Sequence, residues 1–325
     1  MPLDRLTRRT FVLACAAAGA SGLQAQQWPG KEIKLVVPST PGSPPDLLAR
    51  ILIPGLSAAW KQPIVVDYKP GAGGMIGMNT VAKAAPDGHT IGIGFAGPVT
   101  YAPLLYKKMA YDPFKDFAPV CLTTTQPNIL IVPAGHPANN LREFVEWSHT
   151  IGDKANFASV GPGTASHLTM ELFKSVAKIK PVHVPYPGSP PALSSLLAGD
   201  CHSMFITEPP AKGAIAGGRV KVLAATSPQR TPLLKDVPTV AESGFPGFEV
   251  MAWNGVFAPA GTPAAVLRKI ASDVREQLAS DAVSSALLKM GSLPLGSTPE
   301  EFTAAIKADF ATWSPILRKL NLTLD

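Results

Sequence analysis

Glu32-Ile33-Lys34-Leu35-Val36-Val37-Pro38-Ser39-Thr40-Pro41-Gly42-Ser43-Pro44-Pro45-Asp46-Leu47-Leu48-Ala49-Arg50 runs from an apolar β-branched stretch, through a loop of small and cyclic residues, into a leucine-bearing helix start. Glu32 to Val37 reads as a strand, Pro38 to Pro45 as a loop, and Asp46 as the opening of a helix. The pentapeptide Pro41 to Pro45 recurs as Pro187 to Pro191, again after a strand candidate and before a helical stretch. In both copies the glycine, Gly42 or Gly188, permits a tight turn. The serine, Ser43 or Ser189, suits an N-cap, and the proline after it is tolerated at the first helical position. If two lobes are built alike, the copies face each other across a cleft.

The same alternation continues along the chain. Further strand candidates are Ile64 to Tyr68, Thr90 to Phe95, Asn128 to Val132, Asn156 to Ser159, Val182 to Val184, His202 to Ile206 and Val220 to Ala225. Between them lie periodic stretches such as His167 to Val176, whose Leu168, Leu172, Phe173 and Val176 share a face. Strands alternating with helices predict an α/β fold with mostly parallel sheets covered on both sides, and ligands in such sheets bind beyond the carboxyl ends of the strands. Thr262-Pro263 and Thr298-Pro299-Glu300-Glu301 are helix starts with a threonine cap and a following proline. Pro54-Gly55 inside Leu47 to Trp60 predicts a kink or two short helices, because an interior proline costs about 3 kcal/mol.

Arg5, Arg8 and Arg9 precede an apolar run from Phe11 to Leu23 that leaves through Leu23-Gln24-Ala25. Residues 1–25 therefore read as a signal peptide of twin-arginine form, cleaved near Ala25, and the mature chain is expected in the periplasm. The run is shorter than the roughly 20 residues a span needs; an uncleaved anchor and a lipid site at Cys15 are the alternatives. Removing three arginines and Asp4 from 29 basic and 23 acidic residues leaves 26 against 22, a net +4. The basic residues are scattered, which excludes a nucleic-acid footprint. An oxidising compartment would permit Cys121 and Cys201 to pair, although sequence alone does not fix the geometry.

No Gly-x-Ser-x-Gly elbow, His-Glu-x-x-His or lysine-bearing phosphate loop is present. Gly71-Ala72-Gly73-Gly74-Met75-Ile76-Gly77 imitates a dinucleotide fingerprint but has isoleucine at the third glycine position, so it reads as a tight turn with close helix packing. No cofactor or metal is expected. Anion binding at helix starts remains, since backbone N–H groups and the helix dipole need no arginine. Gly42-Ser43, Gly161-Pro162-Gly163-Thr164 and Gly188-Ser189 have that form, and Phe95-Ala96-Gly97-Pro98 leaves a strand with small residues. The doubled prolines donate no N–H, so serine hydroxyls and water must complete the shell. The candidate ligand set is Ser39, Thr40, Gly42, Ser43, Asp46, Ala96, Gly97, Gly161, Thr164, Ala165, His167, Tyr186, Gly188 and Ser189. Within it, Ser43 and Ser189 are expected to donate from opposite lobes and Thr164 through its hydroxyl and the amides behind it. A capping or positioning role fits His167 and Asp46 better than ligand contact.

Trp28-Pro29-Gly30-Lys31, Asp46-Leu47-Leu48-Ala49-Arg50, Pro70 to Gly77, Ala85-Pro86-Asp87-Gly88, Tyr111-Asp112-Pro113-Phe114, Gly161 to Thr164 with His167-Leu168, Val184-Pro185-Tyr186, Val237-Pro238-Thr239 and Ala258 to Pro263 together resemble the Bug family, the substrate-binding proteins of tripartite tricarboxylate transporters. The resemblance implies a type II-like periplasmic binding fold, with two β/α lobes joined by two crossing strands. It also implies a carboxylate ligand held in the cleft by backbone amides and waters, and integral-membrane transporter subunits as partners. On that pattern lobe one is 26–124 plus 227–325 and lobe two is 125–226, in a chain expected to act as a monomer. The family's first loop usually reads Pro-Phe-Pro-Pro-Gly-Gly-x-Thr-Asp, where this chain has Pro38 to Asp46. Its second loop reads Tyr-Lys-Gly, where this chain has Tyr186-Pro187-Gly188. Both departures fall at the ligand, and a loop without its aromatic admits a larger or aromatic acid. A sensor docking on a membrane kinase, and a hydrolase or isomerase using His167 and Asp46, are the other readings.

Overall fold

The computed structural model describes residues 28–231 and 234–324; the signal-peptide reading, with Cys15 and Ala25, lies outside them. β1 (Ile33–Val37) runs parallel to β2 (Ile64–Tyr68) on one side and β3 (Thr90–Phe95) on the other. β4 (Phe117–Pro133) pairs along its first part with β9 (Met251–Pro259), which also lies antiparallel to β3. From Asn128 onward β4 pairs instead with β7 (Ser203–Thr207) and β8 (Val220–Ala225), both antiparallel. β5 (Asn156–Ser159) is parallel to β7 and β6 (Val182–Pro185), and β10 (Leu293–Pro294) is a short addition to β4. The fold is thus α/β with mixed sheets. The expectation of mostly parallel sheets holds for the outer strands and fails at β4 and β9, which run against them while joining the two halves.

Helix α1 (Pro44–Trp60) buries Leu48, Ala49, Leu52, Leu56 and Trp60, spaced three and four apart. They pack on Ile33, Leu35 and Val37 of β1 and on Ile270, Val274 and Leu278 of α8 (Ala264–Ala279). Burying each leucine contributes about 2 kcal/mol, and the Trp60 indole N–H, 2.6 Å from Asp273, ties the helices together. Of the two outcomes expected at Pro54, two short helices do not form: one helix runs through it. Pro54 and Arg50 are exposed, so the carbonyl deprived of its N–H lies where water replaces the donor. In the second half, Ile129, Ile131, Met204 and Ile206 form a core with Ala192 and Leu196 of α6 (Ser189–Ala198) and Ala211 and Ala214 of α7 (Glu208–Ala216).

Two further expectations are corrected, and the open question of the cysteines is answered. Cys121 and Cys201 are each free and buried, one in the core under α1 and the other in that of the second half. Thr262 caps nothing: α8 begins at Ala264, and the Thr262 hydroxyl donates to the Pro259 carbonyl (2.8 Å). Val176, at the end of α5 (Ala165–Ala177), is 45% exposed, while Leu168 and Phe173 are buried. The Thr298 start does form a capping box with Glu301, opening α10 (Pro299–Leu320). No helix among the described residues is long and apolar enough to cross a membrane.

Candidate functional site

The ends of β3, β5 and β7, the crossing strands and four helix starts converge on one cavity of about 70 Å³. The first half supplies Ser39, Pro44, Pro45, Phe95, Ala96, Ala252, Trp253 and Asn254. From β4 onward come Gln126, Asn128, Val160, Thr164, Ala165, Ser166, Ser189, Ile206 and Thr207. Every one of these side chains is uncharged.

An anion held here must therefore be met by backbone amides and neutral side-chain donors, and the four helix starts differ in what they offer. Pro44-Pro45 open α1, Pro190-Pro191 follow Ser189 in α6, and Pro209-Pro210 follow Glu208 in α7. Each pair removes two donors. Helix α5 has no proline in its first turn. Its Ala165, Ser166 and His167 amides are those a helix leaves without carbonyl partners, and Ala165 and Ser166 form part of the cavity wall. The thirteen-residue α5 also points the positive end of its dipole there.

The two proline-rich loops meet directly. Ser43 is extended and precedes α1 but caps none of its amides. Pro45 has none to give, and the Asp46 amide donates to the Ser43 carbonyl (2.9 Å). The Ser43 hydroxyl instead accepts the Ser189 amide across the cleft (3.3 Å). Ser189 is the first residue of its helix, not the cap expected, and Gly188 precedes it in extended conformation. A Cβ on Gly188 would strike Thr40, and one on Gly42 would lie 3.1 Å from Pro190. The glycine loop after β2 closes the same seam, for a Cβ on Gly73 would fall on the Pro162 carbonyl oxygen. On the far side the Lys212 ammonium donates to the Lys289 carbonyl.

Of the fourteen candidate residues, Ser39, Ala96, Thr164, Ala165 and Ser189 stand in the cavity wall. Gly161 and Tyr186 line the adjoining cleft beside Gly73, where the Tyr186 hydroxyl meets Ser195 (2.5 Å). Thr40, Gly42, Ser43, Gly97 and Gly188 shape the seam without lining the cavity. The Thr164 hydroxyl donates to the Gly161 carbonyl (2.7 Å) and so closes its own turn. Asp46 is buried and fully engaged: Gly42 N–H (2.7 Å) and Arg50 Nε (2.9 Å) donate to one oxygen, the Tyr68 hydroxyl (2.5 Å) to the other. Burial pushes its pKa up, but the bonds from Arg50, Gly42 and Tyr68 outweigh this and hold the carboxyl below its usual range. His167 Nδ1 accepts the Gly163 amide (3.1 Å). With both groups turned into the protein, the acid–base pair of the hydrolase reading does not face the cavity.

Sequence reasoning missed Gln126, Asn128, Thr207, Trp253 and Asn254, all at the crossing strands or the end of β7. Three of them are held from behind. Asn128 Nδ2 donates to Thr169 (3.1 Å) and Asn254 Nδ2 to Thr124 (3.2 Å). The Trp253 indole N–H donates to Asp309 (3.0 Å).

The family model described as "Tripartite tricarboxylate transporter family receptor" matches residues 48–322. The chain belongs to that family. It is 37% identical over 319 residues to the "UPF0065 protein in tcbD-tcbE intergenic region" of Pseudomonas sp. (strain P51), covering 97% of this chain and 95% of the relative. Among solved structures, an R. palustris protein with adipate superposes with a TM-score of 0.89 at 33% identity, over 91% of this chain and 99% of that one. The periplasmic binding protein BugD gives 0.88 at 34%, over 91% and 99%. The Bug resemblance and the two-lobed binding-protein architecture therefore stand. The chain is a solute-binding protein of this periplasmic type and not an enzyme.

Proposed function

We propose that the cavity captures a small organic carboxylate carrying one carboxylate group and an apolar body, and that the chain delivers it to the membrane subunits of a tripartite tricarboxylate-type transporter. The observation that carries this reading is the α5 start, a helix N-terminus with an unbroken run of amides in a cavity without a charged side chain. Phe95, Val160, Ile206 and Trp253 supply apolar surface for the rest of the ligand. A second carboxylate would find the other helix starts poor in donors, because prolines hold their first turns.

Residues 26–124 with 227–325 form one lobe and 125–226 the other in this reading, closing by a hinge at β4 and at the return segment before β9. The seam contacts Ser43 to Ser189, Gly73 to Pro162 and Lys212 to Lys289 support a closed form whose two halves share one ligand. Export by the sequence 1–25 completes the proposal. A thermal-shift screen of the chain against benzoate, hexanoate, adipate, malate and citrate tests it. At 100 times its dissociation constant a ligand adds about 2.7 kcal/mol, so a monocarboxylate should raise the midpoint most and emerge unconsumed. A larger shift with citrate or malate would overturn the single-carboxylate reading, and silence with all five acids would overturn carboxylate capture.

A further inference from the structure

Two histidines stand behind the loop that opens α5. Gly163 donates its amide to Nδ1 of His167 (3.1 Å). Gly161 donates to the Ser159 hydroxyl oxygen (3.1 Å), which lies 2.6 Å from Nε2 of His183. Among the described residues His183 Nε2 is the one acceptor in reach of the Ser159 proton, so the hydroxyl that accepts from Gly161 donates to His183. The rings stack with centroids 3.9 Å apart at 15°, and Phe157 stacks on His183 at 4.9 Å. This network assigns the tautomers. His167 carries its proton on Nε2, 3.8 Å from Glu171, and His183 carries its proton on Nδ1.

The geometry points to the stacked His167 and His183 rings as the positioning pair of the anion site: two neutral imidazoles of opposite tautomer receive the Gly161 and Gly163 amides and thereby fix the loop that presents α5 to the cavity. This inference rests on the α5 start being where the carboxylate binds. The loop also carries the seam, through Pro162 against Gly73 and the Gly163 carbonyl near Gly97, so its shape enters both capture and closure. Protonating His167 at Nδ1 would set one donor against another at Gly163. Protonating His183 would make the Ser159 oxygen accept twice and strand its proton. A doubly protonated stack would bring like charges within 3.9 Å.

The charged groups facing the pair are Glu171 and Lys174 of α5, which pair with each other at 2.8 Å; Lys174 also sits 5.5 Å over the Phe157 ring. Burial first, then the neighbouring His183 and Lys174, takes His167 down to about 3. Burial, then Lys174, takes His183 to about 4.

The test is nitrogen-15 spectroscopy of histidine rings and glycine amides in the full-length chain between pH 8 and 4, with hexanoate titration of wild type, His183→Phe and His183→Gln as a second arm. The proposal expects opposite tautomers at the two rings, both neutral at pH 6, and Gly161 and Gly163 amides that move only when the rings protonate. His183→Phe keeps a flat ring in the stack but removes the acceptor, and should shift the Gly161 amide and weaken hexanoate binding about three- to tenfold. His183→Gln, whose amide can still meet Ser159, should restore affinity and erase one acid step. Rings of the same tautomer, ordinary titration near pH 6.5, or glycine amides indifferent to ring protonation would overturn the pairing. If wild type ignores hexanoate, the carboxylate reading suffers, while the ring and amide spectra still decide the pair.

Discussion

Pro41–Pro45 and Pro187–Pro191 are the same five residues, yet they are closed by different means. In the first copy Asp46, one residue beyond the repeat, takes the Gly42 amide on its own carboxylate, with Arg50 and Tyr68 behind it. In the second copy the corresponding residue is Ala192, which can accept nothing through its side chain. There the helix begins at the serine, and the Ser189 amide goes to Ser43 of the other loop. The difference teaches that the repeat encodes only a turn. A residue outside it decides whether the loop is self-contained or completed by its counterpart.

The sharpest way to break the comparison is to remove what the first copy has and the second lacks. Asp46→Ala should cost about 3 kcal/mol in chemical denaturation at pH 7, because a buried amide and a tyrosine hydroxyl lose their acceptor. Asp46→Asn should recover part of it. Since the folded carboxyl titrates below its usual range, its stabilisation is complete above about pH 4 and fades as pH falls through the lower folded value. The gap between wild type and Asp46→Asn must therefore narrow only in acid; a gap that narrowed between pH 7 and 5 would show the carboxyl is not held as described.

Gly73→Ala tests the seam that both copies depend on. Gly73 has φ of 60°, and a Cβ there meets the Pro162 carbonyl oxygen, so the halves must part to admit it. Affinity for the bound acid should fall about ten- to a hundredfold, by the usual cost of overpacking. Unchanged affinity would mean that ligand binding does not use this closed form.

These positions also show what the sequence could tell. β2, β3 and β8 stand where their β-branched residues place them, since outer strands covered by helices give a mainly apolar signal. The first half of β4 and the whole of β9 were hidden for the opposite reason. Thr123 to Asn128 of β4 is a mostly polar run, from which Gln126 and Asn128 line the cavity. β9 carries Asn254-Gly255, a pair that otherwise signals a turn; there the Phe302 ring occupies the place of a side chain at Gly255. Loop chemistry was legible at the α5 start, where no proline intervened. It was not legible at Ser43, whose partner lies 146 residues away.

Acid should separate the two loop types by window. The unfolded histidines bind protons near pH 6.5, but His183 and His167 resist until about 4 and about 3. The folded chain therefore loses stability progressively as pH drops from 6.5 toward 4, above the range in which Asp46 acts. Denaturation midpoints of wild type and His183→Gln across that interval should converge, and parallel curves would remove His183 from the account.

The smallest effect is the most specific to the repeat. Ser43→Ala takes the acceptor from the Ser189 amide and should cost about 1 kcal/mol, about fivefold in affinity, with a small drop in thermal midpoint. Ser189→Ala leaves that bond untouched, because the donor is backbone, and removes only a hydroxyl from the cavity wall. Its effect should therefore appear in ligand affinity and not in the unliganded midpoint. Were the serines equivalent caps, as their identical surroundings in sequence suggest, both alanine variants would lower the unliganded midpoint alike. The asymmetry follows from Asp46 facing one loop and Ala192 the other, so exchanging those two residues should move the sensitive serine from 43 to 189.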